Sequence, residues 1–228
     1  MNAINKNITR LVLALCLITL VAGCDYDNFE EPAAVLEGNV VYEGQPVGVR
    51  TNGPQLELWQ DGYALDKNIP VYIAQDGSYS VSLFNGEYKM VVKEGGPWVP
   101  ELNDTIVIRV NGRTEFDVPV TPYFTVNNES FQVNGNSVTV NFTIEKIVET
   151  TNLQSVNIYF GTAVLTDQNK NEYVANVDIG SITTGQPTTV SIDIPEHLQG
   201  AGYLFARIGV RSTQANEFYY SHVEKIEL

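Results

Sequence analysis

Ser78-Tyr79-Ser80-Val81-Ser82-Leu83, then Phe84-Asn85-Gly86, then Glu87-Tyr88-Lys89-Met90-Val91-Val92-Lys93, is the stretch that decides how this chain folds. Strict alternation is the period of a strand with one buried face. It puts Tyr79, Val81 and Leu83 on one side and three serines on the other. The second run does the same with Tyr88, Met90 and Val92. Between them Asn85-Gly86 reads as a turn, because both residues tolerate positive φ, and Asp76-Gly77 reads likewise just upstream.

Moving outward, the same period returns at residues 35–42, 55–60, 71–74, 104–110 and 114–120. Beyond them Val138, Val140, Phe142 and Ile144 alternate with polar residues. Val156, Ile158 and Phe160 follow suit, then Val190, Ile192 and Ile194, then residues 203–211 and 218–226. No helical period competes with these runs after residue 24. Val118-Pro119-Val120-Thr121-Pro122 interrupts the pattern near the midpoint, and prolines remove ladder donors, so the chain divides there. The expected fold is all-β: two consecutive antiparallel β-sandwich domains, residues 33–121 and 122–228.

The N-terminus carries a different message. Lys6 and Arg10 precede an apolar run at residues 11–22, too short to span a bilayer and stopped by Asp25. Residues 1–23 therefore read as a signal peptide. Its end, Leu20-Val21-Ala22-Gly23-Cys24, resembles the lipobox of bacterial lipoproteins, in which the cysteine is lipidated and becomes the first mature residue. The other cysteine, Cys16, lies inside the segment that would be removed, so no internal disulfide can form. Lipid on Cys24 would make the membrane the first expected partner. Residues 24–32 form an acidic tether. Acids directly after the lipidated cysteine resemble the export signal that sends Bacteroidetes-type lipoproteins to the cell surface, so the expected location is the outer membrane.

Charge excludes one class of function. The signal segment holds two basic and no acidic residues, leaving 11 Lys+Arg against 27 Asp+Glu, a net charge of −16. Nucleic-acid binding rests on cations neutralising phosphates, and this surface would repel them.

Residues 38–92 resemble a transthyretin-like or carboxypeptidase-regulatory-like sandwich. The pieces are Gly38-Asn39-Val40-Val41-Tyr42, Gly44-Gln45-Pro46-Val47, Gln75-Asp76-Gly77-Ser78-Tyr79 and Leu83-Phe84-Asn85-Gly86-Glu87-Tyr88. In the last piece Tyr88 re-enters the core with its hydroxyl able to bond nearby backbone. The second half is expected to be immunoglobulin- or fibronectin-like. Across its mature length the chain is similar to a family of two-domain Bacteroidetes lipoproteins of unknown function, through Val49-Arg50-Thr51-Asn52-Gly53, Leu56-Glu57-Leu58-Trp59-Gln60-Asp61-Gly62 and Phe205-Ala206-Arg207-Ile208-Gly209-Val210. That resemblance implies an association with Sus-type glycan uptake, in which a transporter and a substrate-binding lipoprotein act together.

Catalytic residues are scarce. His197 and His222 are the only histidines, and structural roles suit both. No metal or cofactor is expected. Asp167-Gln168-Asn169-Lys170-Asn171, with Asp178, copies part of a calcium loop, but Glu172 stands where that loop needs glycine; a polar hairpin tip explains the same residues. Aromatics are the better lead, because sugar rings stack their C–H faces on exposed rings. Trp59 should point away from Leu56 and Leu58, either open to ligand or covered by a neighbour. Trp98 lies in an irregular loop, either for ligand contact or to cap a sandwich end. Tyr203, Phe205, Arg207 and Arg211 share one strand face, as an interaction surface or as packing at the domain junction.

The reading is a non-enzymatic surface lipoprotein that helps a Sus-type system bind or import a polysaccharide. A structural or adhesive protein-interaction module, such as a fimbria-associated or complex-assembly subunit, is the alternative.

Overall fold

Four antiparallel or mixed sheets, stacked in pairs, account for nearly all the ordered backbone of the computed structural model, which describes residues 30–62, 67–100 and 105–228. The expected signal peptide, Cys24 and most of the expected acidic tether lie outside the described residues. Among those described there is no α-helix, and so none long and apolar enough to cross a membrane.

The first domain is built from β1 (Ala34–Tyr42), β2 (Gln45–Pro46), β3 (Gln55–Trp59), β4 (Ile69–Tyr72), β5 (Ser78–Leu83), β6 (Gly86–Val92), β7 (Ile106–Val110), β8 (Arg113–Glu115) and β9 (Val118–Pro119). In one sheet β1 pairs antiparallel with β2 and β5 and parallel with β8 and β9. The other has the order β4-β3-β6-β7, antiparallel throughout. Leu36, Val40, Tyr79 and Leu83 from the first sheet meet Leu56, Leu58, Tyr88 and Met90 from the second in one core.

The opening stretch departs from expectation in one respect. Asp76-Gly77 is a turn with Gly77 at φ 88°, but Gly86 has no positive φ. Instead of turning back on β5, the chain crosses there from one sheet to the other, since β5 pairs with β1 while β6 pairs with β3 and β7. Two side chains fix the corner. Asn85 Oδ1 accepts from the Gly112 amide at 2.8 Å, and the Tyr88 hydroxyl donates to the Phe84 carbonyl at 3.0 Å. Tyr88→Phe should therefore cost about 1 kcal/mol, the net value of one such bond. Urea unfolding would measure it, and an unchanged midpoint would show the corner does not depend on that hydroxyl.

Near the proline boundary the predicted strand 114–120 is split. Phe116 and Asp117 bulge between β8 and β9, and Pro119 sits exposed in β9. The second domain continues with β10 (Phe124–Asn134), β11 (Ser137–Lys146), β12 (Leu153–Gly161), β13 (Tyr173–Val177), β14 (Pro187–Asp193), β15 (Tyr203–Ser212), β16 (Tyr219–Tyr220) and β17 (Glu224–Glu227). β10-β11-β14 form one sheet; β13-β12-β15, with β16 and β17 both on β15, form the other. Phe124, Val140, Phe142, Ile158, Phe160 and Ile208 fill the core between them. The expected run 218–226 is broken at Ser221–Val223, which leaves His222 exposed between β16 and β17.

A seam joins the domains firmly enough that Ala33–Leu228 forms one compact unit. Arg50 donates to both carboxylate oxygens of Glu217 at 2.7 and 2.6 Å, and the Tyr220 amide donates to the Gly48 carbonyl at 3.0 Å. Bidentate geometry makes the ion pair one of the stronger kinds.

Candidate functional site

The two tryptophans have different environments. Trp59 stands half-buried on the outward face of β3, opposite Lys89, while Leu56 and Leu58 point into the core. Beside it the Lys89 ammonium meets Asp61 at 2.6 Å. Trp98 is corrected from candidate ligand contact to packing residue, because it is 2% exposed and belongs to the first core. Its ring lies against Gly96 with no room for a Cβ there. On either side, the Val99 amide donates to the Thr121 carbonyl at 2.8 Å and the Tyr123 amide to the Pro97 carbonyl at 3.0 Å. Trp98 thus pins the proline-rich boundary, and no ligand reaches its ring.

The face of β15 divides in the same way. Tyr203 and Phe205 meet edge to face at 5.8 Å near the surface, with Lys225 over the Tyr203 ring. Arg207, corrected from exposed interaction residue, is 1% exposed and lies within the seam. Its Nε donates to the Ser221 carbonyl at 2.9 Å and its Nη2 to the Gln75 carbonyl, on the first domain, at 2.7 Å. The guanidinium sits 4.5 Å from the centre of the Tyr220 ring. Burial pulls its pKa down to about 10 and pushes the Tyr220 hydroxyl up, so cation and neutral phenol coexist at ordinary pH. Arg211, partly buried, stacks on Phe218 at 4.9 Å in the same aromatic cluster. Of the four predicted residues only Arg207 is buried; Phe205 and Arg211 are partly buried and Tyr203 is exposed.

Asp167 is buried and caps its own turn, accepting from the Asn169 and Lys170 amides. Asp178 caps a short 3-10 turn by accepting from the Gly180 amide. Both carboxylates are thus engaged with backbone. Among the described residues no group of three His, Cys, Asp or Glu is placed to hold a metal ion.

A depression of about 730 Å³ lies on the solvent face and edge of the first sheet. Alternation along β1 turns Glu37 and Asn39 outward as it turns Leu36 and Val40 in, and β5 contributes Ser78 and Ser80. The bulge after β8 adds Asp117, whose Oδ1 accepts from the Asn39 amide at 2.8 Å. Arg113 Nε donates to Glu37 at 2.6 Å. At the margin stands Tyr72, 54% exposed. Below, the Tyr79 hydroxyl donates to the Phe116 carbonyl at 2.6 Å, and burial raises its pKa. The result is a shallow platform of paired charges, amide and hydroxyls beside one open aromatic ring. None of these residues was a candidate site residue in the sequence, because they come together from four separate segments. One signal was present: Val71 and Ile73 alternate inward, which leaves Tyr72 outward.

These features define an all-β, two-domain protein with a polar sheet face and a built seam. The chain belongs to the DUF3823 family: residues 34–121 match the DUF3823 N-terminal domain, described as a protein of unknown function, and residues 124–225 match its C-terminal domain of unknown function. A DUF3823 family protein from Bacteroides ovatus is 47% identical, with a TM-score of 0.81 over 86% of this chain and 100% of that one. Another from Parabacteroides merdae is 32% identical, with a TM-score of 0.80 over 87% of this chain and 100% of that one. A Bacteroides uniformis protein described as a "putative carbohydrate binding protein" shares the fold at 20% identity, TM-score 0.71, over 86% of this chain and 100% of that one. Comparison with curated proteins gives no match.

Proposed function

We propose that the chain is a non-enzymatic, lipid-anchored protein of the outer cell surface that holds a carbohydrate for a Sus-type importer. The observation that carries this reading is the platform on the first sheet. Sugar recognition needs an aromatic face for ring C–H groups and paired acceptors and donors for vicinal hydroxyls. Tyr72 offers the first, and Asn39, Ser78, Ser80 and Asp117 offer the second. Two of its three carboxylates are already engaged by hydrogen bonds, Glu37 with Arg113 and Asp117 with the Asn39 amide, which favours holding over acid–base catalysis. The Bacteroides uniformis relative, whose description names carbohydrate binding, lends support at the level of fold. Anchorage through Cys24 and the acidic residues after it would place the platform outside the cell.

The test is affinity electrophoresis of residues 25–228 against a broad panel of polysaccharides, followed by calorimetry. Retardation by one glycan class is expected, and Tyr72→Ala should weaken that binding about tenfold, equivalent to about 1.4 kcal/mol. No retardation by any glycan would sink the reading and favour the protein-interaction alternative, whose surface would be the exposed Tyr203–Phe205 end of β15.

A further inference from the structure

A second groove runs along the seam. One bay, about 490 Å³, is lined by Gln45 and Gln75 from the first domain and by Asn127, Asn128, Glu129 and Tyr219 from the second. The adjoining bay, about 300 Å³, shares Gln45, Asn127 and Tyr219 and adds Tyr42, Glu43 and Glu145.

Its backbone is unusual on both walls. Among the described residues three that are not glycine have positive φ: Glu43 at 50°, Asn52 at 56° and Asn128 at 55°. Two of them line this groove, one from each domain. Glu43 owes its φ to the two-residue turn it forms with Gly44 between β1 and β2, and Asn128 takes its φ within β10. The register of β10 also breaks here, between Asn127 and Ser130, and bulges of this kind re-aim side chains beside functional sites. The bulge turns Asn127 and Asn128 out into the bay.

The lining is chemically selective. It offers three carboxylates, four amides and one imidazole, His222, with no Lys or Arg among the described lining residues, so the acids outnumber any positive charge and an anionic ligand would be repelled. Tyr219 forms part of the floor and packs against both cores. Burial and the nearby Glu129 push its hydroxyl up to about 12, which keeps it a neutral donor. His222 Nδ1 lies 3.9 Å from Glu129, beyond hydrogen-bond distance.

We infer that the seam groove is a second carbohydrate site, selective for neutral oligosaccharides. Tyr42 and Tyr219 provide ring faces, and Asn127, Asn128 and Glu129 take the hydroxyls. The inference rests on the carbohydrate reading above and adds the class of sugar. A ligand here touches both domains, so binding also holds them together.

The test is hydrogen exchange of the protein with malto-, cello-, xylo- and manno-hexaose, and with oligogalacturonate as the anionic probe. Protection of residues 42–46 and 125–130 by a neutral hexaose is expected, and it should persist in Tyr72→Ala. Asn128→Gly with Glu129→Ala, which keeps the left-handed backbone, should weaken that hexaose about tenfold with an unchanged melting temperature in the absence of sugar. The exchange result on the unmutated protein decides the matter if the double variant folds poorly. Protection confined to residues 72–80 and 113–117 would overturn the seam site and leave the carbohydrate reading standing. Seam protection by oligogalacturonate would overturn the neutral class. No binding of any probe at either place would remove both.

Discussion

Arg207→Ala should destabilise the protein by about 3–5 kcal/mol, from the void a large buried side chain leaves and a carbonyl deprived of its donor. The side chain is almost wholly inaccessible, yet among the described residues no carboxylate pairs with it. The carbonyls of Ser221 and Gln75 and the face of Tyr220 hold its charge. Truncation leaves the Ser221 carbonyl without that donor, at about 1–3 kcal/mol, while the Gln75 carbonyl keeps the Val49 amide, and it opens a void beneath Gly48. Because Gln75 belongs to one domain and Arg207 to the other, the loss should fall on the seam. Urea unfolding followed by fluorescence would give the magnitude, and hydrogen exchange at Tyr220, whose amide bonds Gly48, would give the place. Arg207→Met should cost less, since it refills the volume without a charge to bury. An alanine variant within 1 kcal/mol of the unmodified protein would mean the guanidinium does not hold the domains together.

Gly38→Ala should be nearly as damaging, at about 3 kcal/mol, the upper part of the range for overpacking. Gly38 lies in the middle of β1 opposite Tyr79, and a Cβ there would fall on the Phe116 carbonyl. That oxygen cannot rotate away, being backbone that also accepts the Tyr79 hydroxyl. The Phe116 amide donates to the Glu37 carbonyl at 2.9 Å, which ties the bulge to β1 from its other side. Relief requires moving the bulge that carries Asp117, so sugar binding at the platform should weaken together with stability. Gly44 is the internal comparison. Its φ is 76° but a Cβ would meet open space, so Gly44→Ala should cost only about 1–2 kcal/mol from the left-handed backbone. Thermal unfolding of the two variants side by side separates backbone strain from collision; equal losses would refute the collision.

The local period of the chain was enough to establish its class and many of its faces. Tyr79, Leu83, Tyr88 and Met90 point inward as their alternation requires, and Trp59 points away from Leu56 and Leu58. Even the Tyr88 hydroxyl finds backbone four residues away, because that contact is local. What alternation cannot encode is the partner of each strand. A period of two says which side of a strand is buried, not against what, since pairing is settled between segments distant in sequence. Hence β5 and β6 read as neighbours but part into different sheets, and β8 and β9 run parallel to β1. The strand β10 escaped notice because its bulge at Asn127 breaks the very period by which strands are recognised. Trp98 and Arg207 read as surface candidates for a related reason. An aromatic in an irregular loop and a strand-face cation are ordinarily near water; the first core covers Trp98, and Arg207 is buried by Ser221 and Tyr220 of its own domain together with the Gln75 carbonyl of the other. The sequence alone determined an all-β chain of two domains; the tertiary structure alone decided the seam between them, because its groove and its contacts exist only once the two domains are packed together.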